Sequence, residues 1–182
     1  MYLSTFRDAL NSCEIYATLK KHKNTSSHFI DVFSWDSIPT KLAKNVFSFV
    51  FNLSDSNHVG THWVSAYANG QYLELFDSYA IIRKNLINSR LEQLSKNLNL
   101  KIKVNKKRLQ SLNSHVCGYY CIAHLIFKSK GYSLSSFVRL FSSNYIINDV
   151  AIKRHVMPLI ERSTRLQNWC YQRYLFFFYY SY

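Results

Sequence analysis

Residues 117–128 read CGYYCIAHLIFK, a run in which almost every side chain is apolar or aromatic. A segment that is apolar on all sides is typical of a helix enclosed by other elements. The run therefore predicts a helix at the centre of the fold, with Cys117 at its start. The unpaired N–H groups and partial positive charge at a helix N-terminus favour a thiolate over a thiol. Cys117 is thus a candidate nucleophile.

A glutamine precedes this helix in the loop Gln110-Ser-Leu-Asn-Ser-His-Val-Cys117, with six residues between the two. Gln110 is placed to donate a side-chain N–H toward the oxyanion that develops when a thiolate attacks a carbonyl carbon. The backbone N–H of Cys117 is the second expected donor. Gly118 follows the cysteine, and its missing side chain is expected to let a substrate backbone approach.

Two strand-like segments upstream supply a base and a carboxylate. Residues 62–68 and 71–77 flank Asn69-Gly70, a dipeptide that strongly predicts a two-residue hairpin turn. His62 begins the first strand and Asp77 ends the second, so the hairpin is expected to bring them to the same end. A carboxylate beside an imidazole sets its tautomer and stabilises the imidazolium.

Each of these residues alone is uninformative, because a single buried cysteine or a single histidine in a strand is more often structural. Glu74 is a rival carboxylate, but alternation along the strand directs it to the opposite face from Asp77. Trp63 is expected to wall the site off from water. The conjunction of base, orienting carboxylate, oxyanion donor and nucleophile predicts a cysteine peptidase with four site residues: His62, Asp77, Gln110 and Cys117.

The remaining segments predict an α+β fold with a central mixed β-sheet packed against the cysteine helix and further helices around it. Helical spacing is found over 3–21 with Thr5 as cap, 86–98, 134–142 after Ser133, and from about Val150 onward with Asn148-Asp149 as cap. Strand patterns cover 29–33, 46–53 and 101–105. We expect one domain over 1–182, with a motif-bearing core at about 28–128 and a helical, aromatic extension at about 150–182.

The composition is that of a folded protein, with 48% hydrophobic residues and only four glycines and two prolines. The first residues lack a secretory pattern, and the aromatic run at 175–180 is shorter than the ~20 residues that span a bilayer. We therefore expect an intracellular protein with no membrane partner. Its four cysteines, of which only Cys117 is assigned a reactive role, are expected as free thiols: Cys13, Cys117, Cys121 and Cys170.

The net charge of +13 is concentrated in the middle of the chain. Residues 83–108 hold nine basic side chains against the single acidic Glu92: Arg83, Lys84, Arg90, Lys96, Lys101, Lys103, Lys106, Lys107 and Arg108. Such a field favours a polyanion such as DNA. A basic surface without a dedicated partner is an equally weighted alternative.

Several of these segments resemble the adenovirus-type endopeptidases, a family of cysteine proteases. The resemblance is carried by His62-Trp63, Leu75-Phe76-Asp77, the Gln-x6-Cys-Gly loop within LQSLNSHVCGYYC, and FIDVFSWDSIP at 29–39, and it covers about residues 28–128. It implies an α+β fold, catalysis by the four site residues named above, and no cofactor for the chemistry itself. It also implies DNA as an activator, which the basic 83–108 region suits.

The resemblance implies that the substrates are polypeptides such as capsid or core precursors, cut during virion maturation, in the virion and host nucleus. The same motifs occur in the wider clan that includes peptidases removing SUMO-like modifiers. Asp77 stands where the adenovirus enzymes carry Glu and resembles the SUMO-directed branch, whereas the six residues between Gln110 and Cys117 resemble the viral branch. A deconjugating protease is therefore an alternative. No cysteine lies between Cys13 and Cys117, which argues against activation by a disulfide-tethered peptide as in the family.

Two alternatives belong to other classes. One is a basic nucleic-acid-binding protein whose peptidase site is vestigial. The other is a zinc module built from His58, His62, Cys117 and Cys121. Gly60 between the two histidines and the absence of a Cys-x2-Cys pair argue against the zinc module.

Overall fold

The computed structural model of the chain describes residues 9–82, 87 and 89–164. Within them the elements are α1 (Ser12–Lys21), β1 (Phe29–Phe33), β2 (Val46–Asn52), β3 (Trp63–Asn69), β4 (Tyr72–Phe76), α2 (Ser89–Asn97), β5 (Lys101–Val104), α3 (Cys117–Ser129), α4 (Leu134–Arg139) and α5 (Tyr145–Thr164). The predicted α+β class is confirmed. Of the helices described, none has both the length and the apolar character needed to cross a lipid bilayer.

The described strands form one mixed sheet in the order β1-β2-β3-β4-β5. The two outer pairings, β1 with β2 and β4 with β5, are parallel, and the strands between them are antiparallel. The predicted hairpin is present as β3 and β4. Its turn uses Gly70 with φ +84°, a left-handed conformation that glycine adopts at little cost.

The sheet separates two hydrophobic cores because side chains alternate along its strands. On one face, β2 directs three phenylalanines toward α2, and these side chains pack together: Phe47, Phe49, Phe51, Leu91 and Leu94. The other face is covered by α3, with α1 and α5 packed around that helix. Eleven of the thirteen α3 residues are buried, so the prediction of a central cysteine helix is confirmed.

The predicted helix over 3–21 begins later than expected within the described residues. α1 starts at Ser12, and Asn11 is its N-cap: the Asn11 side chain accepts from Glu14 N at 2.9 Å, and Asn11 N donates to the Glu14 carboxylate at 2.9 Å. This reciprocal capping box defines the start of the helix more strongly than apolar spacing does. Thr5, the predicted cap, lies outside the described residues.

Helix α5 begins at Tyr145, five residues before the expected start near Val150. The backbone N–H groups of the first turn are capped instead by Asn144, whose Oδ1 accepts from Ile146 N and Ile147 N at 3.1 and 3.2 Å. The predicted cap Asn148-Asp149 is wrong, because both residues lie inside the helix and are buried. The aromatic part of the predicted extension, residues 165–182, lies outside the described residues.

The cysteines differ in state. Cys117 and Cys121 are buried free thiols. Cys13 is disulfide-bonded, so the expectation of a free thiol is wrong for this residue. Cys170 lies outside the described residues.

Candidate active site

The β3–β4 hairpin brings His62 and Asp77 together as the sequence predicts. His62 stands immediately before β3 and Asp77 immediately after β4, and His62 Nε2 donates to Asp77 Oδ1 at 2.7 Å. Both side chains are almost fully buried, at 5% and 3% exposure. A carboxylate in this position fixes which imidazole nitrogen carries its proton.

Backbone N–H groups hold the Asp77 carboxylate in its ionised form. Oδ1 accepts from Tyr79 N at 2.8 Å, and Oδ2 accepts from Ile81 N and Ile82 N at 2.7 and 3.0 Å. Burial raises the pKa of Asp77, but the hydrogen bonds from His62 and the backbone outweigh it and keep the pKa below its ordinary value. The turn that follows β4 is therefore held by hydrogen bonds from its backbone N–H groups to the Asp77 carboxylate.

His62 is the most strongly perturbed group of the site. Burial lowers its pKa, but the hydrogen bond to Asp77 and the interaction with Cys117 outweigh burial and raise it from 6.5 to about 9. Its second ring nitrogen, Nδ1, is buried and has no nitrogen or oxygen partner among the described residues. The imidazole is thus held by Asp77 through one nitrogen and interacts with Cys117.

Cys117 is the first residue of α3 and lines an open cleft of about 740 Å³ together with His62. The cleft is also lined by Trp63, Tyr79 and Ser114. Trp63 is held in place because its indole Nε1 donates to Leu10 O at 2.9 Å. A thiol at a helix N-terminus, an imidazole and an aromatic wall therefore share one concave surface.

Gln110 is brought close to this site but does not line the cleft. The side chain is fully buried, its Oε1 accepts from Ser78 Oγ at 2.6 Å, and its Nε2 donates to Tyr79 Oη at 3.0 Å and to Ser114 O at 2.8 Å. Both amide hydrogens are thus already bonded within the protein. The oxyanion role assigned to Gln110 from the sequence stays a prediction.

Helix α5 supports the loop that carries Gln110, a contribution that sequence reasoning missed. Asn148 Nδ2 donates to Leu109 O at 3.1 Å, and Asp149 Oδ2 accepts from Ser111 N at 3.1 Å. These bonds hold the residues on either side of Gln110. The only sequence signal is the Asn148-Asp149 pair after the apolar Ile146 and Ile147, a pattern that also predicts a cap.

Asn105 is a second residue that sequence reasoning missed. Its side chain accepts from Asp77 N at 2.8 Å and donates to Asp77 O at 2.7 Å. Because β4 and β5 are parallel neighbours, residues just past their ends meet at one edge of the sheet. An asparagine directly after the alternating residues 101–104 is the sequence signal for this contact.

Gly118 has a packing role that the sequence did not indicate. A Cβ atom at this position would lie 3.1 Å from Leu10 Cβ and 3.2 Å from Ile15 Cδ1. The glycine therefore lets Leu10 and Ile15 pack closely against α3. The interpretation that its missing side chain makes room for substrate stays a prediction.

Glu74, the rival carboxylate, is engaged elsewhere. Its Oε2 lies 2.6 Å from Lys128 Nζ, and both side chains are buried, at 7% and 6% exposure. The ion pair joins β4 to the C-terminal part of α3. Glu74 therefore does not orient His62.

The four residues of the zinc alternative do not converge. His58 Nδ1 lies 2.6 Å from Asp55 Oδ1 on the exposed surface, while His62 is bonded to Asp77. Across residues 9–82, 87 and 89–164, no three His, Cys, Asp or Glu side chains are grouped so that they could hold a metal ion. The described donors therefore do not support a zinc module.

Some basic side chains of the 83–108 region contact other parts of the protein, and others are exposed. Arg90 Nε donates to Ile38 O at 2.6 Å, and Lys103 and Arg108 lie over the rings of Tyr72 and Tyr145 at 3.3 and 4.1 Å. Four further lysines are exposed, of which Lys107 donates from Nζ to Phe141 O at 2.8 Å: Lys96, Lys101, Lys106 and Lys107. Lysines on the edge strand β5 also prevent pairing with another sheet, so their presence has a structural explanation as well. Arg83 and Lys84 lie outside the described residues.

Neither a scan against protein-family models nor a search of curated proteins finds a match. Among solved structures, the ASFV pS273R protease matches with TM-score 0.59 and 17% identity over 80% of this chain and 66% of that chain. The SUMO protease Ulp1 matches with TM-score 0.55 and 13% identity over 86% of this chain and 79% of that chain.

ChlaDub1 from Chlamydia trachomatis also matches, with TM-score 0.54 and 12% identity over 68% of this chain and 63% of that chain. The chain thus spans just under two thirds of the ASFV and Chlamydia chains. None of these three is an adenovirus enzyme, so the adenovirus-type resemblance and a viral origin stay hypotheses. At these identities the likeness concerns architecture: the chain has the mixed-sheet α+β fold of the pS273R and Ulp1 proteases.

Proposed function

We propose that the chain is a cysteine peptidase in which Cys117 is the nucleophile, His62 the general base and acid, and Asp77 the orienting carboxylate. One observation carries the proposal: a free thiol at the start of a buried helix lines the same cleft as an imidazole that a buried carboxylate holds. The pKa of His62, raised to about 9, supports an imidazolium at neutral pH. An imidazolium beside a thiolate is the reactive pair of such enzymes.

The proposed reaction has two halves. The Cys117 thiolate attacks the carbonyl carbon of the scissile peptide bond, and the tetrahedral oxyanion accepts hydrogen bonds from donors at the helix N-terminus. The C–N bond then breaks as His62 gives its proton to the departing amine, which leaves a thioester on Cys117. In the second half, neutral His62 takes a proton from water, whose oxygen attacks the thioester. The acid product leaves and the thiolate–imidazolium pair returns.

We further propose that the enzyme is an endopeptidase that matures viral structural precursors inside the infected cell, in the virion and host nucleus. The resemblance of the Gln110-to-Cys117 loop to the adenovirus-type family supports this proposal. The match to a second viral protease, from ASFV, is in keeping with it.

The test is cleavage of a library of internally quenched fluorogenic peptides by the purified chain. Cys117→Ala should lower turnover to background, because the nucleophile is removed. Cys121→Ala is the matched control, since Cys121 is a buried thiol one turn further along α3, and it should keep turnover per folded molecule. Turnover that survives Cys117→Ala would contradict the proposal.

Deconjugation of a SUMO-like or ubiquitin-like modifier is the second candidate. The use of Asp rather than Glu at position 77 and the match to the SUMO protease Ulp1 favour it. The two candidates differ in what they recognise. A deconjugating enzyme should cleave a fluorogenic amide at the C-terminus of a folded modifier far faster than the same C-terminal peptide alone. A maturation protease should show no such preference.

DNA is proposed as an activator that binds through exposed lysines of the 83–108 region. Turnover of the best peptide should rise when duplex DNA is added, and the rise should weaken steeply with salt. Lys106→Gln should reduce the stimulation and the salt dependence, whereas Lys41→Gln, an exposed lysine outside the region, should not. DNA binding without labelling of Cys117 by a thiol probe would instead indicate a nucleic-acid-binding protein with a vestigial site.

A further inference from the structure

The side chain that reaches the cleft from beside Gln110 is Tyr79. Tyr79 lines the cleft together with Cys117 and His62, and its ring packs against the His62 imidazole with centroids 4.7 Å apart. Its Oη donates to Ser114 O at 2.8 Å and accepts from Gln110 Nε2 at 3.0 Å. Tyr79 thus contacts the buried Gln110 amide through its hydroxyl and His62 through its ring.

The orientation of the Gln110 amide is determined by its surroundings. Ser114 O lies 2.8 Å from Nε2 and can only accept, so the amide nitrogen has to face it. Exchanging the amide nitrogen and oxygen would place two acceptors against each other. Gln110 therefore donates one hydrogen to Ser114 O and the other to Tyr79 Oη, and its exposure is 0%.

The two candidate oxyanion donors, Gln110 and Tyr79, would have to rearrange to different extents in order to donate to a bound substrate. Gln110 would have to leave a fully buried position and give up a bond to Ser114 O or Tyr79. Tyr79 already lines the cleft, and if its hydroxyl turns away from Ser114 O, that carbonyl keeps the hydrogen bond from Gln110. The N–H that Tyr79 Oη accepts also polarises its own O–H and strengthens it as a donor.

Electrostatics keep Tyr79 in its donor form. Burial raises its pKa, and the negative charges of Cys117, Asp149 and Asp77 raise it further. The phenol therefore retains its proton beside Cys117. A neutral O–H is the form that can donate to an oxyanion.

We propose that Tyr79 Oη is the side-chain donor to the oxyanion at Cys117, and that Gln110 acts behind it by donating to Tyr79 Oη. The inference rests on the proposed peptidase function and adds to it a residue that the sequence motifs do not contain. It changes the role of Gln110 from a direct donor to a positioning residue.

The test compares Tyr79→Phe, Gln110→Met and the double variant with the wild-type chain. Tyr79→Phe keeps the ring against His62 and removes only Oη. It should lower kcat on the best library peptide by about 100-fold with KM little changed, as loss of one oxyanion donor does. Gln110→Met should lose less than Tyr79→Phe, and the double variant should lose no more than Tyr79→Phe alone. Tyr132→Phe, which removes a hydroxyl outside the cleft, is the matched control.

A second readout separates oxyanion stabilisation from a structural effect. Alkylation of Cys117 by iodoacetamide forms no oxyanion, so its rate should be unchanged in Tyr79→Phe. The inhibition constant of a peptide aldehyde, whose thiohemiacetal carries the oxyanion, should rise about as much as kcat falls.

Three outcomes would overturn the inference. Full activity of Tyr79→Phe would show that Oη is not a donor in the reaction. An equal fall in alkylation and turnover would show that Tyr79 only positions His62. A further large loss in the double variant would show that Gln110 donates directly. A wild-type chain that cleaves no peptide would instead contradict the peptidase function itself, and this inference with it.

Discussion

Asn105 holds the backbone of Asp77 at both of its polar groups, accepting from Asp77 N at 2.8 Å and donating to Asp77 O at 2.7 Å. Both residues are buried, so neither backbone group of Asp77 has water as a ready substitute. The carboxylate bonded to His62 is thus positioned by the residue that follows β5, a strand on the far side of the hairpin from the histidine. The geometry of the proposed site therefore depends on Asn105, a residue that the proposed reaction does not use.

Asn105→Ala should lower the free energy of unfolding by about 1–3 kcal/mol, because it leaves two buried backbone groups of Asp77 unpaired. Asn105→Asp should be worse at neutral pH, since it keeps the acceptor but sets a carboxylate against Asp77 O. Urea unfolding measures both. Asn57→Ala, at an exposed position, is the control. Equal stability of Asn105→Ala and wild type would contradict the prediction.

The pKa of His62 makes stability depend on pH. Its folded pKa of about 9 lies above the unfolded value of 6.5, so the stabilisation is complete below pH 6.5 and is lost as pH rises through 9. A pKa shift of this size corresponds to roughly 3 kcal/mol of additional stability of the folded state at low pH. Wild-type stability should therefore fall between pH 6.5 and 9 more steeply than that of Asp77→Asn.

An NMR titration of the histidines would measure the raised pKa of His62 directly. Cys117→Ala and Asp77→Asn should each lower the pKa of His62, since each removes an interaction that raises it. The basic limb of kcat/KM should move to lower pH in Asp77→Asn for the same reason. His28, whose pKa is lowered by burial, serves as an internal reference and should not move in either variant. An unchanged His62 in Cys117→Ala would show that the two groups do not interact.

The buried pair of Lys128 and Glu74 should matter for stability but not for catalysis. Lys128→Met leaves the Glu74 carboxylate buried without its counter-ion and should cost about 3–5 kcal/mol. Adding Glu74→Gln should recover much of this loss. Turnover per folded molecule should stay within about twofold of wild type in the double variant, whereas Asp77→Asn should lose on the order of 100-fold. A comparable loss of turnover in Glu74→Gln would reopen its role as the orienting carboxylate.

The packing at Gly118 can be tested by a double-mutant cycle. Gly118→Ala should cost about 1–3 kcal/mol, because the new Cβ would lie too close to Leu10 and Ile15. Ile15→Val removes the Cδ1 atom that lies 3.2 Å from the new Cβ, so it should cost less in the Gly118→Ala background than alone. Urea unfolding of the four proteins gives the coupling energy. A Gly118→Ala variant with normal stability but a raised KM would favour the substrate-approach interpretation instead.

The features predictable from the sequence were those with a local cause. The hairpin followed from Asn69-Gly70 between alternating strands, and the central helix from the apolar run after Cys117. The same reasoning failed at helix ends. Asn11 and Asn144 cap α1 and α5, whereas Asn148 and Asp149 proved to be buried in α5. A polar residue that caps a helix and a polar pair that lies buried inside one can both precede an apolar run. Only the surrounding fold distinguishes the two.

By itself the sequence determined the elements and the chemical types at the site, because periodicity and turn chemistry act over a few residues. It brought His62 to Asp77 through a single two-residue turn. Only the tertiary structure determined which residues Gly118 and Gln110 contact. Gly118 meets the N-terminal segment, and the Gln110 amide is bonded to Tyr79 and Ser114 instead of facing the cleft. Those contacts depend on how distant elements pack, and no local pattern in the chain encodes them.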